Sequence, residues 1–296
     1  VRRGIVFPFK RPVTNRQERR GTVQKMSKLL EAVVAAAIML QSSMVLASQK
    51  TLVILSTTST EHSGLFEHLL PTFEKEADLR VRVVAVGTGA AVNNAMNCDG
   101  DVLLVHSKPL EEKFVAHGYA NARYDVMYND FVIIGPSTDP ASAQDAADLS
   151  AALNAIANSG ELFVSRGDGS GTHRKELVLW NDAGREVSAD GSSWYLEVGS
   201  GMGATLNIAI GKGAYTLTDR ASWEMFGNKL DFEVLVEGDK ALFNQYGVMA
   251  VSAEKCPNTN VAGGQAFLDW LISDDGQGRI AAFKPMGKQL FFPNAR

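Results

Sequence analysis

Short apolar runs alternate with helix-patterned stretches from Thr51 onward, and this order restricts the possible folds more than any other feature of the chain. Thr51-Leu-Val-Ile-Leu55 has the length and apolarity of a buried strand. After Ser63, the residues Leu65, Phe66, Leu69, Leu70 and Phe73 share one helical face, with Pro71 expected to kink or restart the helix. Val81–Val86 reads as the next strand, followed by a helix from Gly89 to about Asn97. A third strand, Asp101–Val105, precedes a helix from Pro109 to about His117. A β-α-β-α-β order predicts a parallel sheet with right-handed crossovers.

Phe131-Val-Ile-Ile134 continues the series until Gly135-Pro136 breaks it, and a second alternating set follows. It comprises helices near 145–158, 173–183 and 204–211, with strands at 162–164, 214–217 and 232–236. A strand at 246–251 and helices near 263–272 and 275–283 complete the chain. No repeat or low-complexity linker divides the halves. Two α/β lobes joined by strand crossings near 128–136 and 243–250 account for that continuity. The expected division is residues 48–130 with 247–296 in one lobe and 131–246 in the other, with the ligand in the cleft at the strands' carboxyl ends.

The formal charge of −4 combines two unlike segments. Residues 1–47 hold nine Lys/Arg against Glu18 and Glu31, a net of +7, while the other 249 residues hold 20 Lys/Arg against 31 Asp/Glu, a net of −11. An acidic body is unsuited to binding nucleic acid, which requires clustered positive charge. The basic segment ends in Met26-Ser-Lys28, an apolar stretch Leu29–Leu40, and Val45-Leu-Ala47. This is the pattern of an export signal cleaved after Ala47, with Met26 as an alternative start and an extracytoplasmic destination for the body. Cys98 and Cys256 both fall in the body; an oxidising compartment permits a bridge, and two free thiols fit the sequence equally. The five histidines are scattered, without metal-binding spacing, and no metal site is expected.

Three strand-to-helix turns carry the candidate chemistry. Ser56-Thr57-Thr58-Ser59-Thr60 lines up five hydroxyls, although a simple helix cap uses the same residues. Val86-Gly87-Thr88-Gly89 lets backbone N–H groups approach an anion, but lacks both the dinucleotide and the triphosphate signatures. Ser165-Arg166-Gly167-Asp168-Gly169-Ser170-Gly171-Thr172-His173 gathers a guanidinium, glycines and hydroxyls at a helix start. That chemistry suits an oxyanion, with Asp168 free to hold Arg166 or to accept a ligand proton; a glycine-rich turn with a surface Arg–Asp pair is the plainer alternative. A secreted hydrolase using Ser170 and His173 is the reading from another class. However, Asp168 stands where a nucleophile elbow needs glycine, and no triad is evident.

Taken in order, these turns resemble the oxyanion-binding proteins of ABC importers, and most closely the periplasmic tungstate-binding family. The resemblance extends through Asp101-Val-Leu-Leu-Val-His106, Asp125-Val-Met-Tyr-Asn-Asp130, Gly201-Met-Gly-Ala-Thr-Leu-Asn207, Gly213-Ala-Tyr-Thr-Leu-Thr-Asp-Arg220 and Gly287-Lys-Gln-Leu-Phe-Phe-Pro-Asn-Ala295. It implies an α/β, two-lobed periplasmic-binding-protein fold of type II, without catalysis or cofactor. By position it implies oxyanion contacts from Thr57, Thr58, Ser59, Thr88, Arg166, Ser170, Gly171 and Thr172, with Ser107 a weaker candidate. Residues 201–207 and 215–220 are assigned to the second lobe and hinge rather than to the ligand.

The implied ligand is tungstate. Molybdate is nearly the same size, and sulfate and phosphate are alternatives within the fold. The implied partners are a membrane permease and its ATPase, with the binding protein itself a monomer. Tungstate offers only acceptors, so a matching site presents donors; His106-Ser107 stands where phosphate binders resemble Ser-Asp, which disfavours phosphate.

Overall fold

In the computed structural model, which describes residues 50–187 and 193–295, strand β1 (Thr51–Thr57) is flanked by two parallel neighbours. β2 (Arg80–Val86) pairs along its whole length, Leu52 opposite Val81, and β3 (Val102–Val105) pairs on the other side. The proposed leader, residues 1–47, lies outside the described residues. Helices α1 (Thr58–His62) and α2 (Leu65–Ala77) cross from β1 to β2, and α3 (Thr88–Met96) crosses from β2 towards β3. α4 (Lys108–Ala116) follows β3.

The three strands of the β-α-β-α-β order are parallel as expected, and the parallel arrangement ends there. β9 (Phe243–Ala250) runs antiparallel to β3, and β4 (Tyr124–Pro136) runs antiparallel to β9. The cause is the length of β4. Its first half, Tyr124–Asp130, pairs with β9, while Phe131–Pro136 pairs with β7 (Thr216–Asp219) and β8 (Phe232–Val236). The chain leaves the first strand set along β4 and returns along β9, so these two strands must oppose each other. The strand crossing expected near 128–136 starts four residues earlier, at Tyr124, where Asp125 interrupts the apolar run. A terminal pair, β10 (Phe292–Pro293), also lies antiparallel to β4, and β5 (Phe163–Ser165) pairs in parallel with β6 (Tyr195–Glu197).

Pro71 sits inside α2 without dividing it, so the helix does not restart there. A proline here removes the N–H that the Glu67 carbonyl would accept. Both residues are exposed, so water can satisfy that carbonyl.

β4 also feeds three distinct apolar clusters, the third built from Val132 and Ile134 with Met202, Leu206 and Trp223. Val126 and Met127 pack with Leu52, Ile54, Phe73, Phe267 and Phe291, whereas Phe131 and Ile133 pack with Phe163, Trp180 and Tyr215. The Phe73 and Phe267 rings meet edge-on at 5.0 Å, and each such buried side chain stabilises the fold by about 1.5–3 kcal/mol. The helices α5 (Leu149–Ser159), α6 (Gly171–Asp182), α7 (Met202–Lys212) and α8 (Arg220–Met225) surround the second set of strands. α9 (Val261–Ile272) and α10 (Asp274–Ala282) return to the first set, where Phe267, Leu271 and Ile280 enter its cluster.

Cys98 and Cys256 form a disulfide, with Cα atoms 5.2 Å apart, resolving the choice that the sequence left open. Cys98 adopts φ 65° just past α3, and the bridge fastens this helix end to the segment following β9.

Candidate functional site

Each of the three turns begins a helix at the carboxyl end of a strand. Thr57 closes β1 and caps α1, its Oγ1 accepting from the Thr60 N–H at 3.4 Å. The same oxygen lies 3.1 Å from Ser59 Oγ and 2.8 Å from Thr60 Oγ1. The capping reading and the hydroxyl-cluster reading therefore describe the same atoms. Thr57, Ser59 and Thr60 are buried, and Thr58 is half-buried at the start of α1.

In the second turn Gly87 precedes α3 in an extended conformation, and Thr88 is the first helical residue. Thr88 Oγ1 is buried without a hydrogen-bond partner among the described residues.

The third turn is shaped by glycine. Gly167 and Gly169 have φ 60° and 68°, and a Cβ on Gly167 would lie 2.7 Å from Glu197 Cβ. Between them Asp168 takes two hydrogen bonds, at 2.5 Å from Arg166 Nη2 and at 3.1 Å from the Ser170 N–H. Ser170 then caps α6, its Oγ accepting from the His173 N–H. Arg166 is only 4% exposed, and its Nε, like Thr88 Oγ1, has no partner among the described residues.

The turns meet. A Cβ on Gly171 would stand 2.8 Å from Thr88 Oγ1 and 3.1 Å from His106 Cε1, so only glycine allows this approach. One on Gly87 would lie 3.9 Å from Ser170 Cβ. His106, just beyond β3, reaches back to the first turn, its Nε2 lying 3.4 Å from Ser59 Oγ. Ser59 and Gly171 thereby meet at one imidazole, with Thr88 packed against Gly171. Thr172 is buried in the first turn of α6, while Thr57 and Thr58 make no described hydrogen bond to the other two turns. Ser107 stands beside the cluster, its N–H donating to Glu111 Oε1 at 2.5 Å.

Residues 45–275 match the PBP superfamily domain. The tungstate-binding protein TupA of Peptoclostridium acidaminophilum is 43% identical over 249 residues, covering 83% of this chain and 86% of that protein. This chain belongs to the TupA family of the PBP superfamily. Among solved structures, the tungstate-binding protein TupA from Desulfovibrio alaskensis G20 superposes with a TM-score of 0.73 at 43% identity, covering 83% of this chain and 100% of that one. The tungstate ABC transporter structure from Geobacter sulfurreducens gives a TM-score of 0.72 at 44% identity, with 79% and 98% coverage.

In this TupA-family protein, burial lowers the pKa of His106, outweighing Asp219 and the Asn244 hydrogen bond, which raise it; Arg166 adds to the lowering. The neutral ring donates from Nδ1 to Asn244 Oδ1 at 3.1 Å, because Asn244 Nδ2 already donates to Asn129 Oδ1 at 2.7 Å. Nε2 is then left to accept from the Ser59 hydroxyl. Tyr246 packs against the ring at 4.7 Å between centroids. For Asp168, burial favours the neutral acid, but the Ser170 hydroxyl and Arg166 overcome it and hold the carboxyl below its usual range. Asp168 thus stays ionised as the partner of Arg166, and is not positioned as a free acceptor for a ligand proton.

The hydrolase reading of Ser170 and His173 does not survive this geometry. His173 Nδ1 accepts from the Gly169 N–H at 2.9 Å, and its Nε2 faces Glu197 Oε1 at 3.7 Å. The ring makes no described contact with Ser170 Oγ, whose partner is the backbone of His173. No group of three or more His, Cys, Asp or Glu residues suited to a metal ion occurs among the described residues.

The sequence placed His106-Ser107 beside the site but not the contacts of the imidazole, and Asn129 and Asn244 were not foreseen as its neighbours. His106 carried a usable signal, since it directly follows a buried strand just as the three turns do. The two asparagines carried none, because they meet only through the pairing of β4 with β9.

Proposed function

We propose that this protein captures tungstate outside the cytoplasm and delivers it to an ABC import permease energised by an ATPase. It does so as a monomer and without catalysis. The ligand would sit between lobes formed by residues 48–130 with 247–296 and by 131–246, with residues 1–47 serving as the export leader. Thr57, Thr58, Ser59, Thr88, Arg166, Ser170, Gly171 and Thr172 are the assigned oxyanion contacts.

One observation carries this reading. Thr88 Oγ1 and Arg166 Nε, two buried donors without partners, belong to turns packed against each other at the N-termini of α3 and α6. A tetrahedral dianion that only accepts hydrogen bonds can satisfy both, and the two helix starts favour its charge. The donor set makes no distinction between tungstate and molybdate; tungstate is chosen because the relatives named above carry it in their names. The Cys98–Cys256 bridge agrees with an oxidising compartment.

The test is a thermal-shift series with tungstate, molybdate, sulfate and phosphate on the native protein and on Arg166→Ala. Tungstate should raise the melting temperature of the native protein alone. Equal shifts in the variant would remove Arg166 from the site.

A further inference from the structure

A cavity of about 550 Å³ opens outward from His106 and Gly171. Its walls are the start of α4 and one face of α6, and its lining includes Lys108, Arg174, Lys175 and Asp125. Asp125 is already engaged by Arg123. Among the described residues Lys108 pairs with Glu112 alone, at 3.9 Å with both side chains about 60% exposed, a pairing too solvated to cancel its charge. Arg174 donates through Nε to the Gly169 carbonyl, and no ion pair is described for it or for Lys175. Asp182 and Asp239 act on Lys175 from outside the cavity lining. Within the lining Asp125 is the one carboxylate against Lys108, Arg174 and Lys175, so the lining itself carries net positive charge although the body as a whole carries −11.

We propose that this cavity is the entrance to the oxyanion site, and that Lys108, Arg174 and Lys175 hold an incoming tetrahedral dianion in an encounter complex before it passes His106 and Gly171. The inference rests on the oxyanion-binding reading above. A negative body repels a dianion within about one Debye length, which reaches about 30 Å at 0.01 M salt and shrinks to about 3 Å at 1 M. Charges of one sign lining a cleft reverse that repulsion locally and raise the association rate. The three side chains act on the rate of arrival rather than on the bound state, whose donors lie deeper.

The experiment is stopped-flow tungstate binding read by tryptophan fluorescence, run from about 10 mM to about 1 M ionic strength. Lys108→Gln/Arg174→Gln/Lys175→Gln should slow association about tenfold at low salt, leave dissociation unchanged, and converge on the native rate at high salt. Because Arg174 also touches the third turn, Lys108→Gln/Lys175→Gln should reproduce a smaller part of the same effect. Lys75→Gln/Lys212→Gln/Lys284→Gln removes the same charge from exposed positions elsewhere and should keep the native rate.

Equal slowing by both triple variants would overturn the proposal in favour of bulk charge. So would slowing that appears only with Arg174→Gln and is accompanied by faster dissociation. Tungstate binding with no change in association rate would refute the entrance alone, whereas no tungstate binding by the native protein would refute the oxyanion reading and this inference together.

Discussion

Gly171 approaches Thr88 so closely that a Cβ placed on it would lie 2.8 Å from Thr88 Oγ1. This contact joins the start of α6 to the start of α3, and thus sets the spacing of two donor-bearing turns. Gly171 is not among the residues of positive φ, so alanine is acceptable there on backbone grounds. Gly171→Ala should accordingly leave the melting temperature within a few degrees and weaken tungstate binding by at least about tenfold through crowding alone. In a double-mutant cycle, Gly171→Ala should cost far less in a Thr88→Ala background; full additivity would disprove the coupling.

Arg166 is held by Asp168 through one guanidinium nitrogen while its Nε stays unpartnered. Lysine has a charge but no fork, so Arg166→Lys should lose most of the binding and Arg166→Ala all of it. Asp168→Asn should weaken binding less, because the Ser170 N–H can still find an acceptor. Circular dichroism should show all three folded, and retained affinity in Arg166→Ala would contradict the assignment.

Glu176 lies beneath the same turn, accepting from the Tyr195 hydroxyl at 2.7 Å. Burial pushes its pKa up to about 8, against the lowering effect of that hydrogen bond. The folded protein therefore binds a proton that the unfolded chain has released above the ordinary carboxyl range. This contribution to stability is full below about pH 4.5 and is lost as pH rises through about 8. Chemical denaturation at pH 6 and pH 9 should show the native protein weaker at pH 9. Glu176→Gln keeps an acceptor for Tyr195 and should flatten that difference; an unchanged slope would mean that another group titrates.

The disulfide spans 158 residues of sequence. Closing so long a loop in the unfolded chain is worth about 2–5 kcal/mol. Cys98→Ser/Cys256→Ser, or reduction of the native protein, should lower stability in that range. A melting temperature indifferent to reductant would show that the bridge contributes nothing to the fold.

Much of this architecture was written in local patterns. Leu52–Leu55, Val102–Val105 and the Leu65–Phe73 face announced themselves by apolar spacing, and the three turns by glycine and hydroxyl content. What escaped depends on contacts between distant segments. The direction of β9 beside β3 is fixed by where the chain returns, not by the residues of Phe243–Ala250 themselves. The bridge between Cys98 and Cys256 depends on α3 ending next to the segment after β9. His106-Ser107 was legible as a position bearing on the ligand, but the place of the imidazole between Ser59, Asn244 and Gly171 emerges only when β3, β9 and α6 converge. Pro71 does not end its helix, because the carbonyl it orphans faces water and the flanking Leu65, Phe66, Leu69 and Phe73 are buried in the core.

The central claim is that partnerless donors at the meeting of two helix starts hold a tetrahedral dianion with acceptors only. Isothermal titration of the purified protein with tungstate, then with sulfate and phosphate as competitors, tests it most directly. The account predicts one tungstate per chain, undisturbed by a large excess of either competitor and abolished by Arg166→Ala. Tight binding of phosphate or sulfate with none of tungstate would contradict it.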